Sequence, residues 1–133
     1  MENLFWVLAD RTRLRLLNLI GDDEVCVCFL VEILGISQPT VSRHLAYLRR
    51  SGIVGARREG KWMHYRIVPP ADPGVAGVLN ETQSWFKRDP EMQRDRKQLV
   101  KVCCASELPV QLQGAPRPAR VVELPLDNVA RVG

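Results

Sequence analysis

The 133-residue chain lacks an apolar run that could cross a bilayer, since a stretch such as Leu4 to Ala9 is far too short. No basic segment followed by an apolar region and a small-residue cleavage site opens it, so export is not expected. These absences point away from membranes and secretion and toward the cytoplasm. There is no Cys-x-x-Cys redox motif. A phosphatase-type thiol loop needs Arg six residues after a Cys, and those positions hold Glu32, Leu34, Pro109 and Val110. A thiol-based reductase or phosphatase is therefore not expected; no enzymatic activity and no organic cofactor are expected of the chain. No internal repeat is visible.

What is present is an ordinary globular composition, 46% hydrophobic and 26% charged, at a length that suits one domain. The net charge of +4 is unevenly placed. From Ser37 to Val68 there are seven basic residues (Arg43, Arg49, Arg50, Arg57, Arg58, Lys61, Arg66) and one acidic residue, Glu59, so that window carries +6. The other 12 basic and 14 acidic residues leave −2. Basic charge packed into a short window is the footprint of a nucleic-acid contact, although a solvated face has the same composition. Four cysteines form two close pairs, Cys26/Cys28 and Cys103/Cys104. Without an export signal, disulfides are a poor default; paired thiols then mean a metal, a redox function or burial.

The first half reads as short helices. Leu4, Phe5 and Leu8 have helical spacing; Asp10 caps a second helix carrying Leu14, Leu17 and Ile20 to a Gly21 stop. Arg11, Arg13 and Arg15 on that helix suit DNA phosphates or, more simply, a solvated face. Asp22, Asp23 and Glu24 predict the acidic start of a third helix running to about Leu34 and stopping at Gly35. After only Gly35-Ile36-Ser37, a fourth helix spans about Gln38 to Ser51, with Ser37 as N-cap and Pro39 in its first turn. Val41, Leu45 and Leu48 form one stripe while Thr40, Arg43, Tyr47 and Arg50 point the other way. Two helices joined by a short Gly-containing turn make a helix-turn-helix.

Ile53 to Arg58 and Lys61 to Val68 then flank a Glu59-Gly60 turn, a hairpin placed as a wing. Asp72 and Pro73 start another helix. Its Val75, Val78, Leu79, Thr82, Trp85 and Phe86 share one face, to be buried either in a subunit interface or in the core. Asp89-Pro90 ends that helix and begins one reaching Val102. The expected fold is mainly α with a β-hairpin wing, a dimeric winged helix-turn-helix. Residues 1–104 are expected to form the DNA-binding and dimerisation domain. Residues 105–133, with four prolines and no helical period, are expected to form an irregular or disordered tail.

Three blocks carry a family resemblance: Glu24-Val25-Cys26-Val27-Cys28-Phe29-Leu30, Ser37-Gln38-Pro39-Thr40-Val41-Ser42-Arg43-His44-Leu45, and Gly60-Lys61-Trp62-Met63-His64-Tyr65-Arg66. In order and spacing they resemble the ArsR/SmtB winged-helix repressors, most of all the arsenic-responsive branch. The likeness is strong from about Leu4 to Val68 and looser beyond. It implies a homodimer on double-stranded operator DNA, an imperfect inverted repeat, that leaves when an inducer binds. The first and last helices of such repressors build the dimer, which adds Leu4 and Phe5 to the interface residues above. Base-edge contacts are expected from Gln38, Thr40, Ser42 and Arg43, and phosphate contacts from Arg57, Arg58 and Lys61. His44 suits helix packing or a phosphate better than a base.

The resemblance also implies an inducer, trivalent arsenic as arsenite or methylarsenite, held by Cys26, Cys28, Cys103 and Cys104. A soft metalloid prefers thiolates. The branch's usual Cys-Val-Cys-Asp-Leu-Cys is altered here, with Phe29 and Val31 at the Asp and third Cys positions. Three thiolates suit arsenite and two suit methylarsenite. In a regular helix, residues two apart lie ~200° around the axis, so Cys26 and Cys28 are expected to share arsenic only if the first turn unwinds. Ligation would then distort the helix before the DNA-reading helix. The helix N-terminus should lower these thiol pKa values and the neighbouring acids should raise them. Three arrangements stay open: Cys26 and Cys28 with one C-terminal cysteine, Cys103 with Cys104 alone, or sites shared between subunits. The zinc-sensor alternative lacks its histidines, since none lies between Asp72 and Asp89. Rivals are a thiol redox-sensing or other soft-metal-sensing repressor, and a protein-binding winged helix with structural zinc.

Overall fold

The computed structural model describes residues 2–105, 108 and 110–119. Six α-helices run in chain order as α1 (Glu2–Leu8), α2 (Arg11–Ile20), α3 (Val27–Leu34), α4 (Gln38–Arg50), α5 (Pro73–Phe86) and α6 (Pro90–Cys103). Three strands complete the core: β1 (Glu24–Cys26), β2 (Val54–Glu59) and β3 (Trp62–Ile67). The expected mainly helical winged helix-turn-helix is the observed architecture.

Local chemistry sets the boundaries. Side chains of Asp10, Ser37, Asp72 and Asp89 accept hydrogen bonds from backbone N–H groups in the first turns of α2, α4, α5 and α6. Gly35 ends α3 in a left-handed conformation, φ 68°, which a side chain would oppose. That sharp stop, followed at once by the Ser37 cap, keeps the helix-turn-helix short. Leu16, Leu17 and Ile20 of α2 meet Phe29 and Leu30 of α3 and the Val41, Leu45, Leu48 stripe of α4 in one core.

One expectation is corrected. The third helix does not begin among the acids: Glu24–Cys26 is a strand, and α3 starts at Val27. β1 pairs antiparallel with β3 (Glu24 opposite Arg66, Val25 opposite Tyr65, Cys26 opposite His64), giving the order β1-β3-β2. A lone hairpin would leave the β3 edge unpaired; β1 fills it and buries Val25 and Cys26 completely.

Of the segment after residue 104, Val110–Leu112 form a 3₁₀ turn, and Leu112 and Ala115 are buried in the core. Gln111 Nε2 donates to Glu32 Oε2 of α3 at 2.6 Å. Residues 106, 107, 109 and 120–133 of the expected tail lie outside the described residues.

Candidate functional site

On the reading helix α4, Gln38 and Arg43 are exposed, and Thr40 and Ser42 are half-buried. Thr40 is tied to the cap, its Oγ1 2.9 Å from Ser37 Oγ. His44 turns toward α2, its Nδ1 3.4 Å from Arg13 Nη1 and 4.0 Å from Asp10 Oδ1.

The arginines of α2 are engaged within the chain, Arg11 from an exposed position. Arg13 is buried: its Nε donates to the Val7 carbonyl at 2.6 Å and its Nη2 to the Trp6 carbonyl at 3.2 Å, satisfying the last turn of α1. Its guanidinium also lies over the Trp6 and Tyr47 rings. Arg11 pairs with Asp89 and Glu91, and Arg15 holds the buried Asp95 through two hydrogen bonds of 2.7 and 3.0 Å. These contacts staple α2 to α6.

On the wing, Arg57, Arg58 and Lys61 are exposed. Lys61 Nζ lies 4.9 Å above the Trp62 ring. Arg57 is engaged within the chain. Its Nη2 and Nε lie 2.5 and 3.0 Å from Glu24 Oε1, and its Nη1 lies 3.5 Å from Glu59 Oε2. The guanidinium holds the Glu24 carboxyl below the usual carboxylate range. Glu59 Oε1 is also 3.3 Å from His64 Nε2, so a chain of polar contacts crosses all three strands.

Cys26 has extended backbone, φ −68° and ψ 140°, and serves as N-cap of α3 without a capping side-chain bond. The extended residue followed by a helical turn brings the two sulfurs together without unwinding: the Cys28 thiol donates to Cys26 Sγ at 3.0 Å. The expectation that α3 must open before the pair can meet is thereby overturned. The Cys28 hydrogen bond pulls the Cys26 pKa down to about 6 against the opposing effect of burial. The same bond and burial push Cys28 upward, so the pair gives up one proton readily and holds the other.

The second pair is split. Cys103 is buried against the core and Cys104 is exposed. Burial, then the neighbouring Cys104, pushes the Cys103 pKa up to about 12. Among the described residues no three His, Cys, Asp or Glu side chains gather in a metal-binding cluster, so Cys26 and Cys28 do not meet a C-terminal cysteine within one chain.

Of the expected interface residues, Leu4, Leu79 and Phe86 are already buried within the single chain. Val75, Val78, Thr82 and Trp85 are half-buried, and Phe5 is exposed. Trp6 is 56% exposed and was not singled out from the sequence; Glu24, read there as a helix-start acid, grips the wing. The apolar run around Trp6 and the acid beside the strand-forming Val25-Cys26 are the signals that could have found these roles.

Residues 10–55, the helix-turn-helix, match the family of bacterial regulatory proteins called the arsR family. Over 105 residues the chain is 39% identical to the "Arsenical resistance operon repressor" of Escherichia coli, spanning 78% of this chain and 88% of that protein. The chain belongs to the ArsR family. The ArsR-family chain is also 44% identical over 91 residues to the "Arsenic resistance transcriptional regulator ArsR1" of Pseudomonas putida, covering 65% of this chain and 71% of that one. Among solved structures it is similar to the AntR antimony-specific transcriptional repressor, with a TM-score of 0.51, 38% identity, and coverage of 64% and 75% of the two chains. The ArsR-family chain is thus a DNA-binding transcriptional regulator and not an enzyme. Among its described residues no helix is long and apolar enough to cross a membrane.

Proposed function

We propose that this regulator represses by binding operator DNA as a homodimer in the cytoplasm, and that trivalent arsenic bound by thiolates releases it. The observation that carries the inducer half is the 3.0 Å approach of Cys26 and Cys28 at the start of α3, the first helix of the helix-turn-helix. The names of the arsenic- and antimony-related relatives support the same choice of ligand class.

Two thiols at one soft atom match methylarsenite best. Each thiol replaces one hydroxyl on arsenic; two As–S bonds form, two water molecules leave, and no electron changes hands. Inorganic arsenite bound the same way keeps one hydroxyl. The ready ionisation of one thiol of the pair supplies the nucleophile for the first substitution. Closing the ring fixes the β1–α3 junction, and preference of the ligand for one junction conformation shifts operator affinity.

On the DNA side, Gln38, Thr40, Ser42 and Arg43 read base edges of an imperfect inverted repeat. Arg57, Arg58 and Lys61 contact phosphates, with His44 supporting α4. A second subunit covers Phe5, Val75, Val78, Thr82 and Trp85 and abuts Leu4, Leu79 and Phe86, which lie beneath. Residues 1–104 carry both functions.

The test is release of a labelled promoter fragment by methylarsenite and by arsenite under strict anaerobiosis. Wild type is expected to release the DNA, and the Cys26→Ser/Cys28→Ser variant to bind it and stay bound. A variant that still releases would remove the pair from the sensor. A wild type that responds to neither arsenical, but to oxidant, would replace the metalloid by a redox signal.

A further inference from the structure

A wing arginine that is to grip phosphate is held, without DNA, by a carboxylate from the strand that carries the first sensor cysteine. Glu24 and Arg57 are 33 residues apart in sequence and lie on the two outer strands of the sheet. Glu24 reaches past β3 to meet the guanidinium with one carboxylate oxygen accepting from two nitrogens. Glu59 adds a second, longer contact at 3.5 Å. Arg57 is therefore already engaged by two carboxylates when a backbone approaches, while its side chain, like that of Arg58, stays exposed.

The pair is built to exchange. The Arg57 side chain is 50% exposed and that of Glu24 28%. Ion pairs so open to water are weak, and phosphate offers a guanidinium the same planar, two-point recognition as a carboxylate. Arg15 with the buried Asp95 is the contrasting case, more enclosed at 21% and 8% side-chain exposure.

We propose that Glu24 competes with operator phosphate for Arg57, making it a carboxylate that sets the strength of the wing's grip on DNA. The proposal rests on the reading of the wing as a phosphate contact. Glu24 touches no DNA in this scheme; it acts by withholding a cation, from a position two residues before Cys26.

Operator affinity and its salt dependence, measured without any arsenical in wild type, Glu24→Gln, Arg57→Gln and the double variant, test it. Glu24→Gln should tighten binding several-fold at low salt and steepen the plot of log affinity against log salt, by up to about 0.9 per subunit if one phosphate contact is gained. Arg57→Gln should weaken binding, and in that background Glu24→Gln should have no effect. Tightening that persists without Arg57 would mean a general charge effect and overturn the proposal. So would an Arg57→Gln loss unaccompanied by any gain in Glu24→Gln. If Arg57→Gln changes neither affinity nor slope, the phosphate role of Arg57 fails as well. The arsenical reading is untouched by all of these outcomes.

Discussion

Cys26 and Cys28 are separated by one residue and Cys103 and Cys104 by none, yet the more widely spaced pair is the one whose sulfurs meet. The difference lies in the backbone. Cys103 ends α6 and Cys104 follows it with near-helical angles, φ −94° and ψ 0°, so their side chains diverge by about 100°. One enters the core and the other faces water. Cys26 is extended and Cys28 helical, and that change of conformation within three residues folds the second sulfur back onto the first. Close spacing of cysteines is therefore a poor guide to whether their sulfurs meet; a break in secondary structure between them is a better one.

The comparison can be broken most sharply with methylarsenite. Cys26→Ser alone removes the ring closure and should raise the concentration needed for release by roughly 10²-fold, the scale on which a second tethered contact strengthens the first. Cys103→Ser/Cys104→Ser should retain wild-type sensitivity in the same promoter-release assay. The opposite ranking would move the sensor to the C-terminal pair. Stability should rank the second pair internally. Cys103→Ser puts a hydroxyl into the core and should cost about 1–3 kcal/mol in urea unfolding. Cys104→Ser should stay within about 0.5 kcal/mol of wild type.

A smaller effect separates the pairs by pH. Cys26, pulled from the ordinary thiol value of 9.0 down to about 6, adds stability that is complete above 9 and is lost as pH falls toward 6. Cys103, pushed up to about 12, adds stability that is complete below 9 and is lost as pH rises toward 12. The urea midpoint should accordingly rise from pH 6 to 9 through Cys26 and fall above it through Cys103 and Cys28. Cys26→Ser should flatten the lower limb, while Cys103→Ser should leave that limb intact and make the upper one shallower. A lower limb unchanged in Cys26→Ser would show that the thiol is not acidified.

The helix-turn-helix and wing were legible because their signals are local and periodic: the Val41, Leu45, Leu48 stripe, the Ser37 cap and the alternation from Trp62 to Ile67. β1 was not. Three residues are too few to display a period, and its partner His64 is 38 positions away from Cys26. The acids at 22–24 were a sound helix-start signal that lost to the open edge of β3. Charges were visible as charges but not as pairs. The α2 arginines find Asp89, Glu91 and Asp95 some 80 residues later, and Glu24 finds Arg57 from a strand that was not foreseen. The α5 face divided, with Leu79 and Phe86 buried and Val75, Val78, Thr82 and Trp85 only partly so. A helical pattern gives the stripe but not how many bodies share it.

The strand order has a mechanical meaning. Because β3 is central, the edge that ends in Cys26 and the edge that carries Arg57 are margins of one ribbon, two strand spacings or roughly 10 Å apart. Only a single row of peptides lies between them. In the proposed regulator, the lever pressed by the inducer and the jaw closed on DNA are one part, not two parts joined by a train of intermediates. Altering the chemistry at residues 26 and 28 to admit a different soft ligand would leave that lever in place.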